Sequence, residues 1–215
     1  YAERSERWFT RSKTVYLTFD DGPTIYTARV LDTLKEAGVK GTFFIVGSSV
    51  LRLGEEGKAL LVRMAGEGHA IGVHCNVHDY GRVYKSVAAF LEDFNVAFTL
   101  ICEVTGVRPD IFRFPGGSVN RFNEEIRTEL VDEMARRGFT YYDWNASAND
   151  ASSSVTEDSA WRSAVSRAGN RDRVILLMHD TKEATVNALP RIIETYKDKG
   201  YGFARLTNTD KPIML

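Results

Sequence analysis

Cysteine is nearly absent. Two of them, Cys75 and Cys102, in 215 residues are too few to staple a domain of this size, so the fold must stand on its apolar core. Charge of one sign is lacking too: 28 Lys and Arg stand against 29 Asp and Glu, a net charge of −1. With no basic field to draw in phosphate backbones or anionic lipid, nucleic acid is not an expected partner. No apolar run approaches the roughly 20 residues that cross a bilayer, so this chain has no membrane-spanning segment. Five prolines are spread thinly, and no Pro/Ser-rich linker or charge block breaks the sequence. One domain is expected, and a hydrophobic content of 43% is enough to give it a full core. Residues 1–7 are polar rather than signal-like. Because the chain opens on Tyr1, we expect it to be cut from a longer precursor, and the absence of a targeting segment carries no weight on compartment.

What is present is an alternation. Short apolar runs rich in branched and aromatic residues, at 14–19, 42–46, 70–73, 111–114, 140–144, 174–178 and 203–206, predict strands. Amphipathic stretches between them predict helices over 26–37, 56–67, 86–105, 123–137, 156–165 and 184–199, several closed by a glycine such as Gly38, Gly68 or Gly106. Asn123 and Thr156 are placed to cap two of these. The cadence is that of repeated β/α units, an α/β fold with a parallel sheet. Periodicity leaves open whether the sheet is flat or rolled into a barrel smaller than the usual eight-fold one.

Chemically able side chains collect after these strands, where parallel β/α folds keep their ligands. Asp20 and Asp21 follow the first, ahead of Gly22 and Pro23. Adjacent strand residues point to opposite faces, so the strand must end here if both carboxylates are to serve one pocket. Asp21 with His74 and His78 makes a set of three ligands that leaves a position open for water. Such N/O donors suit zinc, cobalt, nickel or manganese. Asp20 is left free to take a proton. The run Val174, Ile175, Leu176, Leu177, Met178 reads as a strand buried on both faces and ends in His179, an imidazole that one carboxylate could lift toward neutrality as a proton donor. Asp143 is the expected partner. Arg113, at a strand tip, could pin a carboxylate such as Asp20 with its fork of donors.

Taken in order, Thr18-Phe19-Asp20-Asp21-Gly22, His74-Cys75-Asn76-Val77-His78, Arg113-Phe114-Pro115-Gly116-Gly117, Asp143-Trp144 and Leu177-Met178-His179 resemble the five motifs of the polysaccharide deacetylase family (NodB-homology domain, carbohydrate esterase family 4). The resemblance covers about 13–206 and is most like bacterial peptidoglycan N-acetylglucosamine deacetylases. It implies a distorted parallel (β/α) barrel of about seven strands, with residues 1–12 as an N-terminal extension and 13–215 as the catalytic domain. It implies Asp20 as general base tethered by Arg113, one divalent ion on Asp21, His74 and His78 with zinc expected first, and His179 as acid tuned by Asp143. The Gly116 N–H would help hold an oxyanion, and Trp144 and Leu177 would wall a pocket for the acetyl methyl. The substrate implied is a polysaccharide containing N-acetylglucosamine, peptidoglycan first, with chitin oligomers or acetylated xylan as alternatives. An inactive carbohydrate-binding relic is the alternative of another class. A monomer acting outside the cell or at a bacterial cell wall is the matching expectation.

Three departures from the family pattern are visible: Cys75 stands where Ser or Thr is usual, Gly116 where an aromatic is frequent, and Thr140 where an Asp normally begins the fourth motif. Cys75 is expected to pack away from the site rather than act as ligand or nucleophile, though a pairing with Cys102 stays open. His69 precedes its strand and is read as structural. Asp79 and Asp180 follow site histidines and are read as lying outside the ligand set. Tyr80, Tyr84 and Phe122 fall near the predicted mouth and could stack on sugar rings.

Overall fold

The computed structural model describes residues 13–166, 168–169 and 171–213; the expected extension over 1–12 lies outside them. In chain order the elements are β1 (Lys13–Asp20), α1 (Thr27–Glu36), β2 (Thr42–Val46), α2 (Gly47–Leu53), α3 (Glu55–Gly66), β3 (Ala70–Cys75), α4 (Tyr80–Val83), α5 (Val87–Thr105), β4 (Ile111–Phe112), α6 (Arg127–Arg136), β5 (Thr140–Tyr141), β6 (Ala146–Ser147), α7 (Glu157–Ser166), β7 (Arg173–His179), α8 (Glu183–Asp198) and β8 (Tyr201–Ala204). Strands lie in the order β5-β4-β3-β2-β1-β7-β6, and β8 pairs with β1. All of these pairings are parallel. The seven expected strands are all present, joined by a two-residue β6 that the pattern did not reveal. The sheet curls as a distorted barrel left open between β5 and β6, since no pairing links these two end strands among the described residues.

Alternation along each strand decides what faces the barrel interior. On β1, Val15, Leu17 and Phe19 join the large core beneath the helices, while Tyr16 joins a separate inner cluster with Phe44, Ile111, Tyr142, Ile175 and Leu206. Counting by twos from those inner residues reaches Thr18 and Asp20 on β1, Arg113 past β4, Trp144 past β5, and Leu177 and His179 on β7. The chemistry therefore stands on the same face as the inner cluster, one layer above it. On β3 the same count from Ala70, another member of the inner cluster, passes Gly72 and reaches His74, where the register slips, Ile45 pairing with Val73 and Val46 with Cys75. Gly72 completes the interior floor, because a Cβ there would lie 2.6 Å from the Phe44 ring.

Local signals fix the helices. Ser86 caps α5 by accepting from the Ala89 N–H at 3.1 Å, Gly106 ends it in the left-handed region, and Thr156 accepts from the Ser159 N–H ahead of α7. Asn123 does not cap α6. The helix starts four residues later, and the Asn123 amide instead donates to the Gly117 and Ser118 carbonyls, which stitches the loop after β4. Fully burying each of Leu31, Leu34, Leu61 and Ile101 contributes about 1.5–3 kcal/mol, and all four are fully buried. No disulfide assists: Cys75 and Cys102 are both free.

Candidate active site

β1 ends on Asp20, and Asp21 turns out of the strand at φ 72°, so the two neighbouring carboxylates reach one cavity. The Nε2 atoms of His74 and His78 lie 3.4 and 3.5 Å from Asp21 Oδ1, and the three donor atoms fall within 4.8 Å of one another. Ligands about 2.1 Å from a tetrahedral centre stand about 3.4 Å apart, so this spacing fits one shared cation. Asp21 Oδ1 is buried without a hydrogen-bond partner among the described residues, which is the orphan atom such an ion would satisfy. Burial works against the Asp21 charge, but the neighbouring imidazoles of His74, His78 and His179 hold it well below the ordinary carboxylate range. Burial likewise opposes charge on His74, yet Asp21 and Asp20 raise it; on His78 burial and the nearby His74 prevail and lower it.

The histidine pair is aimed from outside. His74 Nδ1 lies 2.8 Å from the Arg113 carbonyl, and a carbonyl only accepts, so Nδ1 carries the proton and Nε2 offers its lone pair to the cluster. Asp93, on α5, accepts from the Asn76 and Val77 N–H groups at 2.7 and 3.1 Å. That clamp shapes the turn bringing His78 back beside His74. It was not anticipated, because nothing in the sequence ties the middle of α5 to the loop after β3.

Asp20 is held as expected. Arg113, fully buried, places Nη1 2.9 Å from Asp20 Oδ1 and 2.8 Å from Thr18 Oγ1. It spends Nε on the Tyr142 carbonyl at 2.7 Å and Nη2 on the Asp143 carbonyl at 3.1 Å. Its guanidinium lies 4.3 Å above the Phe44 ring, a cation–π contact that lets a buried charge sit on an apolar floor.

The partner of His179 is a correction. Asp143 is buried, but its carboxylate accepts from the Ser118 N–H at 2.8 Å and from the Ser118 hydroxyl, bracing the loop that carries Gly116. Asp150, seven residues on, takes the expected role. Its Oδ1 lies 2.7 Å from His179 Nδ1 and its Oδ2 accepts from the His179 N–H at 2.9 Å and the Thr185 hydroxyl at 2.7 Å. The physical reason is β6: this short strand beside β7 delivers the chain after it to the end of β7, while residue 143 follows β5 on the far side of the opening. Burial opposes charge on the imidazole, but the Asp150 hydrogen bond and charge outweigh it, aided by Asp20 and Asp21, and the pKa rises to about 9.

Asp20, Asp21, His74, His78 and His179 line a cavity of about 430 Å³ with Gly116, Trp144 and Leu177, as the resemblance implied, and with Tyr80, Ala151, Thr181 and Lys182, which it did not. The remaining candidates lie elsewhere. His69 is buried, its Nδ1 accepting from the Gly41 N–H at 3.0 Å, and burial lowers its pKa to about 4. Cys75 is buried and burial pushes its thiol well up, which disarms it as a nucleophile. Asp79 caps α4 by accepting from the Arg82 N–H. Asp180 is buried against Gly22 and accepts from the Thr27 hydroxyl; burial raises its pKa to about 7. Tyr84 is buried and its hydroxyl donates to the Pro115 carbonyl at 2.8 Å, so it faces the loop rather than a sugar.

A base and a proton donor that line one small pocket at the strand ends of a parallel barrel, beside a set of metal-ligand donors, define a hydrolase-like centre. The chain belongs to the polysaccharide deacetylase family, whose sequence model matches residues 9–140. It is 33% identical over 195 residues to a peptidoglycan-N-acetylglucosamine deacetylase of Bacillus cereus, covering 89% of this chain and 68% of that one. The solved catalytic domain of a peptidoglycan N-acetylglucosamine deacetylase from Eubacterium rectale superposes with a TM-score of 0.87 at 35% identity, covering 94% of this chain and 91% of the other. A Streptococcus mutans CE4 esterase superposes with a TM-score of 0.81 at 31% identity, over 91% and 87% of the two chains.

Proposed function

We propose that the chain is a divalent-metal-dependent N-deacetylase that removes acetyl groups from N-acetylglucosamine residues of an extracellular polysaccharide, peptidoglycan first. It acts as a monomer at a bacterial cell wall. The observation that carries this reading is the meeting of two dyads, Asp20 with Arg113 and His179 with Asp150, beside the three-donor cluster at one cavity. A cation held by Asp21, His74 and His78, zinc before cobalt, nickel or manganese, would polarise an acyl carbonyl and lower the pKa of water.

The chain's own residues do the rest. Asp20, aimed by Arg113, accepts the proton of a water attacking the amide carbon. The Gly116 N–H donates to the oxygen on which charge develops. His179, kept protonated by Asp150, gives its proton to the sugar nitrogen as the carbon–nitrogen bond breaks, and acetate and a free amine leave. Leu177 and Trp144 confine the acyl methyl, which favours acetyl over longer chains. The test is acetate release from N-acetylglucosamine oligomers and from purified peptidoglycan, with and without chelator. Chelator-sensitive release is expected. Release indifferent to chelator, or sugar binding without release, refutes the proposal.

A further inference from the structure

Tyr80 is an aromatic residue of the pocket wall that the proposed reaction leaves without a task. Its ring is held from several sides: stacked on Phe122 at 4.9 Å and 13°, parallel to Tyr84 at 6.4 Å and 7°, and edge-on to the ligand-set residue His78 at 5.1 Å. Tyr84 in turn is tied to the Pro115 carbonyl at 2.8 Å, which links the end of the short helix α4 to the Gly116 loop. The hydroxyl end of Tyr80 lies over Gly116. A Cβ built there would stand 3.1 Å from the Tyr80 oxygen and 3.2 Å from Cε1, and Gly116 sits at φ 75°, so the phenol fills the space a side chain at position 116 would need. Phenylalanine would satisfy all of that packing. The hydroxyl makes no hydrogen bond among the described residues and opens onto the cavity that the ring lines, available to a ligand there.

A polar group without a partner, on an immobilised ring, beside the loop whose N–H meets the acyl oxygen, is placed to meet it too. We propose that the Tyr80 hydroxyl is a catalytic hydrogen-bond donor to the acyl oxygen of the substrate, acting alongside the Gly116 N–H. The inference rests on the deacetylase reading above. A phenol donates at neutral pH, and two donors on one oxygen hold developing charge better than one.

The test is Tyr80→Phe, which keeps the stack and deletes only the hydroxyl, read with two probes on the metal-loaded protein. With an N-acetylglucosamine oligomer, kcat should fall about 10²-fold with KM little changed, while metal content and Tm stay at wild-type values. Acetate, which presents the same oxygen and methyl without requiring turnover, should bind about five- to tenfold more weakly by calorimetry. Tyr80→Ala, which also removes the ring, should lose Tm as well. A Tyr80→Phe activity within twofold of wild type, a rise confined to KM, or an unchanged acetate Kd overturns the assignment. A wild-type protein that releases no acetate refutes the reaction instead, and the acetate arm still judges Tyr80.

Discussion

Replacing Asp150 by Asn should move the alkaline limb of the pH–rate profile to lower pH. His179 is raised from its ordinary 6.5 to about 9, against burial, chiefly by its 2.7 Å contact with Asp150. An opposite charge at this range is worth about one to three pKa units, or about 1.4 kcal/mol per unit. The amide oxygen of the variant can still accept from Nδ1–H, so the tautomer survives while the charge is lost. A drop of about two units takes the limb from about pH 9 to about pH 7. At pH 8 the protonated fraction then falls from about nine-tenths to about one-tenth, and kcat/KM by about tenfold, with recovery toward pH 6. The sign is fixed: the imidazole is the acid, so its lowered pKa cuts activity from the alkaline side. Asp143→Asn is the control, and it should leave the limb in place while loosening the Ser118 loop that Asp143 braces. Charge bound beside Asp21 displaces both limbs together and leaves the difference between variants. The assay is acetate release from pH 5 to 10, with an NMR titration of His179 in parallel. A limb unmoved in Asp150→Asn, or moved as far by Asp143→Asn, would refute the reasoning.

Other outcomes follow from the same geometry. Asp20→Asn should retain metal, measured by elemental analysis, while acetate release falls at least about 10²-fold; retained activity removes Asp20 as the base. His74→Gln breaks the donor cluster and should lower metal affinity in a competition titration with a chelating dye, whereas wild-type affinity would show the ion sits elsewhere. Arg113→Met leaves Asp20 buried without its partner and should cost about 3–5 kcal/mol in urea unfolding; a loss under 1 kcal/mol contradicts the assigned role. Asp180 carries a folded-state pKa raised to about 7 by burial, so its contribution to stability is full below its ordinary 3.8 and is lost as pH rises to about 7. That loss is worth about 4 kcal/mol. Asp180→Asn should flatten this slope in unfolding measured from pH 4 to 8, and an unchanged slope would exclude an ionisable Asp180 as its source.

Legibility in the sequence followed element length for the acids and bases, while Arg113, past a strand of 2 residues, was read from its place in a motif. Asp20 and His179 end strands of 8 and 7 residues, with Asp21 next after the first, and both strands are long enough for hydrophobic patterning to show where they stop. Asp150 follows a strand of 2 residues, too short for any period to declare itself, so the neighbouring Asp143 was read in its place. Tyr80 opens a helix of 4 residues and was read only as an aromatic near the mouth, since its hydroxyl has meaning only against Gly116.

The sequence by itself settled the α/β class, the strand-end grouping of Asp20, Asp21, His74, His78, Arg113 and His179, and the structural place of His69. Those follow from patterning and chemistry local to each segment. Tertiary structure alone decided that Asp150 and not Asp143 meets His179, that Asp93 clamps the histidine turn, and that Tyr80 covers Gly116. Each of these joins residues from different strands or helices, and such contacts depend on the order and curl of the sheet, which no local run of residues encodes.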